Sequence, residues 1–406
     1  MDIRVLTAHR STRRLAIAYF LSKCGEFAFE AAFVVAIVNL TDADLLLIGF
    51  VYFCRYMPCL LFSPVGGWLA DNVEKKYILV TVELLRCVVA AVLFASFVYG
   101  EASLLVATLA AMLMTAFDCL YDPAFRAYFP TVVARKDLPA ANSGLQVIQD
   151  IASITGPLIF SFITVLLAPV YAFAFFSAAL LVSAACTVTL HPSGNNPLGR
   201  FNVVGIVVES VCNVGSLRTL NPPLFAVVGC TTVCAMFATS ITRFILPAAV
   251  IEHFQSEAAV GYVYALFAAG SVLGGLLYVK FNRATNAHSV IRYWCVYGVL
   301  FSIAAVALQF NTSLFLSLLL CAGFFGAFVD IAIITNIQCL SKPQEVGKNF
   351  SLYYSTAIMG DALSGLVASL MFLVAGPATF ISMTLMLGLA PLAWLGRRTV
   401  QGKQRR

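Results

Sequence analysis

Roughly twelve stretches of about 20 apolar residues run through this chain, and none alternates as a half-buried strand would. Nothing else in the sequence limits the fold as strongly. A run of that length crosses the hydrocarbon of a bilayer as a helix. Backbone in lipid finds no water to bond, so spanning segments are helices or closed barrels, and runs without alternation are helices. Hydrophobic residues make up 61% of the 406 and charged residues 11%, whereas a soluble domain carries roughly 25% charge. A soluble core of this size cannot hide that much apolar surface, so lipid is the solvent for most of the chain.

The predicted spans cover 15–40, 45–70, 77–99, 102–124, 141–167 and 170–190, then 223–250, 258–279, 290–310, 313–339, 350–375 and 377–395. The first is too long for a cleavable leader, and Glu26 and Glu30 interrupt it. The expected class is an all-α integral membrane protein. The one long connection, 191–221, is rich in Pro, Gly and Asn. It divides the chain into a six-helix bundle (1–191), an inter-bundle linker (192–221) and a second six-helix bundle with a basic tail (222–406). Residues 205–217 read either as a short helix on the membrane face or as plain linker. Gly66-Gly67 ends span two and Gly274-Gly275 sits near the end of span eight, a weak internal repeat. Two repeated six-span halves are the sequence sign of a transporter built around a central cavity.

Charge sets the orientation. Arg4, Arg10, Arg13, Arg14, Lys75, Lys76, Arg135, Lys136, Arg200, Arg218, Lys280, Arg283, Arg292, Lys342, Lys348 and the tail from Arg397 to Arg406 all fall on one side. The other side carries Asp42, Asp44, Glu101, Glu252 and Glu257 without Lys or Arg. Basic loops stay in the cytoplasm, so both termini are expected there. The net charge of +6 is this topology signal and does not call for a nucleic-acid partner. Twelve cysteines without a CxxC pair, and four histidines (His9, His191, His253, His288) in or near loops, give no metal site and no cofactor. A membrane hydrolase would want Ser/His or paired His at reactive spacing, so an enzyme or receptor is the weaker class.

Charges inside the spans mark candidate sites, because each costs roughly 2.5–3.5 kcal/mol even on a lenient scale. Lys23, Glu26 and Glu30 share one face of span one. They need pairing or water, which makes Glu26 and Glu30 the candidate proton carriers, with a structural Lys23–Glu26 pair as the alternative. Arg55 and Arg243 lie roughly a dozen ångströms below the outer surface by helix rise, as anionic-substrate contacts or gate ion pairs. Asp330 and Asp361 lie deep in the second half. Asp118 and Asp150 read as cavity lining, with pairing to Arg126 as the alternative. Among the aromatics, Tyr52, Tyr56, Tyr262, Tyr264, Tyr353 and Tyr354 are the better cavity candidates, since their hydroxyls need partners.

Four motifs carry a family resemblance: Gly66-Gly67-Trp68-Leu69-Ala70-Asp71-Asn72-Val73-Glu74-Lys75-Lys76 after span two, Glu83-Leu84-Leu85-Arg86 in span three, Asp122-Pro123-Ala124-Phe125-Arg126 leading to Ala141-Asn142, and Gln338 to Lys348 after span ten. In this order the chain resembles the branch of the major facilitator superfamily that holds the enterobactin exporter and the macrolide efflux proteins. The resemblance covers nearly the full length and implies a twelve-helix major facilitator fold in two pseudo-symmetric bundles. Asn72 stands where that superfamily usually has Arg, and span four lacks the Arg-x-x-x-Gly element of many drug–proton antiporters. The resemblance implies a cytoplasmic latch around Asp71, with Gly67, Lys75, Lys76, Glu83, Arg86 and Arg126. Asp71 is expected to accept from the first amides of span eleven, near Phe350.

The expected function is proton-coupled export of an amphipathic small molecule across a bacterial inner membrane. A siderophore is the first expectation, because Arg55, Arg243 and Lys23 offer cationic contacts. A hydrophobic drug or macrolide, or a lysophospholipid, is the alternative. The expected partners are the substrate, protons and the bilayer, and the expected state is a monomer.

Overall fold

The computed structural model describes residues 10–42, 45–192, 194, 202–203, 205–206, 217–255, 258–281 and 286–395. Nearly all are helical. In chain order the helices are α1 (Arg10–Leu40), α2 (Leu45–Tyr56), α3 (Cys59–Asn72), α4 (Lys75–Val98), α5 (Leu104–Val132), α6 (Leu138–Leu166) and α7 (Tyr171–Val188). The second half has α8 (Pro222–Ser240), α9 (Leu246–Phe254), α10 (Ala258–Phe281), α11 (Ala287–Ala307), α12 (Thr312–Leu340), α13 (Val346–Ala375), α14 (Thr379–Leu389) and α15 (Leu392–Leu395).

Three spans are broken, each for a local reason. Span two divides into α2 and α3 at Met57-Pro58, because proline has no N–H to give and its ring displaces the carbonyl of Cys54. Span seven is α8 and α9 joined by a π turn, Ile241–Ile245. Span twelve is α14 and α15 with Pro391 between them. Elsewhere polar caps start the helices: Ser103, Asn221, Asn286 and Asn311 each accept an amide three residues on. Span four departs most from its expected length. It runs eight residues past Ala124, through Pro130, because Arg126 and the residues beyond it pack inside protein rather than meeting the membrane surface.

Eight described helical stretches, with α8, the π turn and α9 counted as one, are long and apolar enough to cross a membrane. Broken spans two and twelve, and the charged α1, complete the pattern together with α13. In the first half α1 packs on α6 and α7, α4 on α5 and α7, and α3 on α5. In the second half α10 packs on α12, α11 on α12 and α14, and α8 on α13. The halves meet where α3 and α5 touch α13 and where α6 touches α10 and α12. Most of 205–217 lies outside the described residues, as do the tail and Arg4, Arg200 and Arg283.

Candidate functional site

The end of the molecule that carries Lys75, Lys76, Arg135, Lys136, Lys342 and Lys348 is here termed the basic end. There α3 stops at Asn72, and only Val73 and Glu74 separate it from α4. Asp71 therefore sits in the last turn of α3, buried, and points across to the other half. Its two carboxylate oxygens accept from the amides of Gly347 and Lys348, both at 2.8 Å. Those are the second and third amides of α13. The helix's own N-cap, Glu345, makes no side-chain cap bond. Asp71 thus does for α13 what a local Asp would do, but from the opposite bundle, where the helix dipole also favours an anion.

The glycines beside it are a matter of space. A Cβ on Gly67 would lie 2.5 Å from the Cβ of Ser351, and one on Gly347 would strike Ala70 and come within 2.9 Å of an Asp71 oxygen. Close approach there needs both positions bare.

Further polar pairs extend the closure. Ser63 donates to the Ser351 carbonyl at 2.9 Å and accepts from Ser355 at 2.8 Å, while Ser351 donates to the Ser63 carbonyl. The Asn142 amide donates to Thr335 at 3.0 Å and to Gln338 at 2.6 Å, and Gln338 donates to the Arg126 carbonyl at 3.2 Å. Ser143 bonds the Gly275 carbonyl, and Arg135 the Cys339 carbonyl. Ser271 donates to Asp150 at 2.8 Å. All of these lie between the basic end and the middle of the helices.

The charges of span one form two pairs within the first bundle. Lys23 donates to Glu26 at 2.9 Å. Arg86, 2% exposed, also reaches Glu26 at 3.0 Å and Asp118 at 3.0 Å, so one guanidinium serves two carboxylates. Glu26 and Asp118 remain 22% and 31% exposed despite lying mid-helix. Nearer the acidic end Arg55 grips Glu30 through both its terminal nitrogens, and its guanidinium lies 5.5–5.9 Å from the rings of Phe33, Tyr52 and Tyr56.

Two residues expected in the latch are elsewhere. Glu83 accepts from Tyr121 and Ser183, and Arg86 binds Glu26 and Asp118, all within the first bundle. Both side chains are buried between α1, α4, α5 and α7, out of reach of α13. Arg126 does bridge the halves, with its side chain on the Tyr354 hydroxyl of α13 and stacked at 5.8 Å on Phe125. It does not pair with Asp118. Lys75, buried beside Asp71 and Glu74, and Lys76 at the first turn of α4 stay at the basic end. Arg243 is exposed on the π turn and acts electrostatically on Tyr52 and Tyr264. The side chain of Asp361 lies outside the described residues.

Asp122, which the sequence reading does not single out, is a further residue of the site. It acts electrostatically on Lys23, Arg126 and Tyr354, at the junction of both networks. The spacing Asp118, Asp122, Arg126 at i, i+4 and i+8 places all three on one helix face and was the signal available.

The sequence profile of the Major Facilitator Superfamily matches residues 15–218 and 228–406. The chain belongs to the major facilitator superfamily. It is a multi-pass membrane transporter of that superfamily's secondary-transport kind, and the family points away from an enzyme. Solved superfamily structures share the fold. A bacterial homologue of the iron transporter ferroportin, in an outward-facing state, aligns with a TM-score of 0.77 at 16% identity, covering 96% of this chain and 100% of that one. The E. coli fucose:proton symporter aligns at 0.75 and 13% identity, covering 94% and 97%. The human organic anion transporter MFSD10 aligns at 0.73 and 15%, covering 94% and 99%. No curated protein sequence matches the chain.

Proposed function

We propose that this superfamily member is a proton-coupled exporter of amphipathic small molecules in a bacterial inner membrane, acting as a monomer by alternating access. The observation that carries this reading is one-ended closure. Asp71 caps α13 across the interface at the basic end, and mid-helix carboxylates stay reachable by solvent. Taking the basic end as cytoplasmic by loop charge, with both termini there, the described state is closed inside and open outside. The two rocking units are residues 1–191 and 222–406, joined by 192–221.

The proton carriers in this reading are Glu26 and Asp118. Arg86 holds both at 3.0 Å. A proton on either would release that carboxyl from the guanidinium and leave the other pair intact, a two-position device that links proton uptake to side-chain rearrangement. Glu30, gripped by Arg55, serves the outer gate.

For the substrate, the siderophore expectation rested on Lys23, Arg55 and Arg243. Lys23 and Arg55 are held by Glu26 and Glu30 in this state, and Arg243 lies exposed on the π turn. A hydrophobic drug or lysophospholipid is the better-supported substrate class, because the reachable mid-helix groups are carboxylates.

The test is ethidium transport in proteoliposomes under an imposed pH gradient. Glu26→Gln and Asp118→Asn are expected to lose gradient-driven accumulation while keeping equilibrium exchange. Full gradient-driven transport in both variants would sink the proton assignment.

A further inference from the structure

A second cavity lies inside the second bundle, away from the Arg86 network. It has a volume of about 320 Å³ and is lined by α8, the π turn, α9, α10, α11 and α12. That is near the lower limit of the roughly 300–1,000 Å³ typical of small-molecule sites, enough for a head group rather than a bulky ligand.

Most of the donors in its walls already have acceptors. The Tyr264 hydroxyl donates to the Thr242 carbonyl, and the Thr242 hydroxyl donates to Ala238 at 2.9 Å. The Trp294 N–H is directed to Thr231 at 3.4 Å, and Ser271 donates to Asp150 at 2.8 Å. Four potential donors are therefore already committed. Beside these the walls present the Trp294 and Tyr297 rings, the Tyr297 hydroxyl and one carboxylate. Trp294 and Tyr297 stand edge to face at 5.7 Å and 86°. Asp330 reaches the same space from the middle of α12, with no hydrogen bond or ion pair among the described residues. Arg126 and Asp150 act on it from beyond salt-bridge distance with opposite signs.

A carboxylate in the middle of a membrane helix calls for a counter-charge or a proton, and aromatic faces attract cations through the ring quadrupole. We infer that this cavity is a binding site for a substituted ammonium group, held between the Trp294 and Tyr297 rings and Asp330. The site deepens the export reading, since Ser271 ties its rim through Asp150 to the bundle interface. A cationic head would sit in the cavity while an apolar tail lies along that interface. The substrate class is thereby narrowed to amphiphiles with an amine or quaternary ammonium head.

The experiment is equilibrium binding to the purified full-length protein in nanodiscs. The probe is phenyltrimethylammonium, set against its neutral isostere tert-butylbenzene and against benzenesulfonate. The cation is expected to bind more tightly than either. Asp330→Asn should weaken cation binding by roughly tenfold or more while leaving tert-butylbenzene unchanged. Trp294→Leu should weaken the cation in the same direction, a check that survives if the Asp330 variant does not fold. Benzenesulfonate binding best, or Asp330→Asn weakening cation and isostere equally, would overturn the assignment. Binding here depends on neither transport direction nor a proton gradient. A protein that binds the cation but fails the proteoliposome test refutes the export reading alone.

Discussion

Replacing Asp71 by Asn tests the trans cap most directly. The carboxylate accepts two α13 amides at 2.8 Å each. An asparagine of the same shape keeps one acceptor but turns an NH2 group toward the second amide, donor against donor. One charge-assisted bond is lost, worth about 1.5–3 kcal/mol, and the helix-dipole attraction of about 0.3–1 kcal/mol goes with the charge. The closed state should therefore lose about 2–4 kcal/mol relative to a state in which the basic end has parted. At 1.4 kcal/mol per factor of ten, its population ratio should fall about 30- to 700-fold. Spin labels on Lys76 and Lys342, read by double electron–electron resonance, report the distance across that end. The expected result is a shift from the short toward the long distance in Asp71→Asn. An unchanged distribution would refute the reasoning, since it would mean that the cap contributes nothing to which end is closed.

Two other predictions follow from close contacts. Gly67→Ala places a methyl carbon 2.5 Å from the Ser351 Cβ, so the same label pair should again report separation at the basic end while thermal stability in detergent changes little; a short distance kept by the variant argues against steric limitation. Arg86→Met takes the guanidinium from Asp118 and leaves Glu26 to Lys23; it should cost about 3–5 kcal/mol of fold stability, seen as a lower unfolding temperature that Asp118→Asn partly restores in the double variant, and no restoration would mean that Asp118 does not depend on Arg86.

Much of the scaffold was legible because lipid imposes a blunt rule: an apolar run of sufficient length is a span. The cap on α13 was legible too, because Asp71 ends a helix that is otherwise almost free of charge. Partner choice inside the protein was harder to read. Glu83 and Arg86 follow Lys75 and Lys76 on the same helix, and nothing in their spacing says that the chain turns them inward to Tyr121, Ser183, Glu26 and Asp118. Ser63, Ser351 and Ser355 were illegible for a different reason. A lone serine in an apolar helix normally bonds its own backbone, and only the crossing of α3 with α13 pairs these three. Asp330 stands out in the sequence as a costly charge, but the committed donors around it belong to α10, α11 and the π turn of span seven, which the sequence does not bring together.

The bonds named above that Ser63, Asp71, Asn142, Ser143 and Asp150 make across the interface share one property: each has an uncharged group on the other side. Mobile ions screen charge against charge over a Debye length of about 8 Å at physiological salt, which touches Asp71, on which Lys348 of the other bundle acts, but not the neutral hydroxyl and amide pairs. What competes for these groups is water, one molecule for each donor or acceptor set free. For the neutral pairs, the choice of which side of the membrane the protein faces is a hydration equilibrium, set by water activity at the parting surfaces.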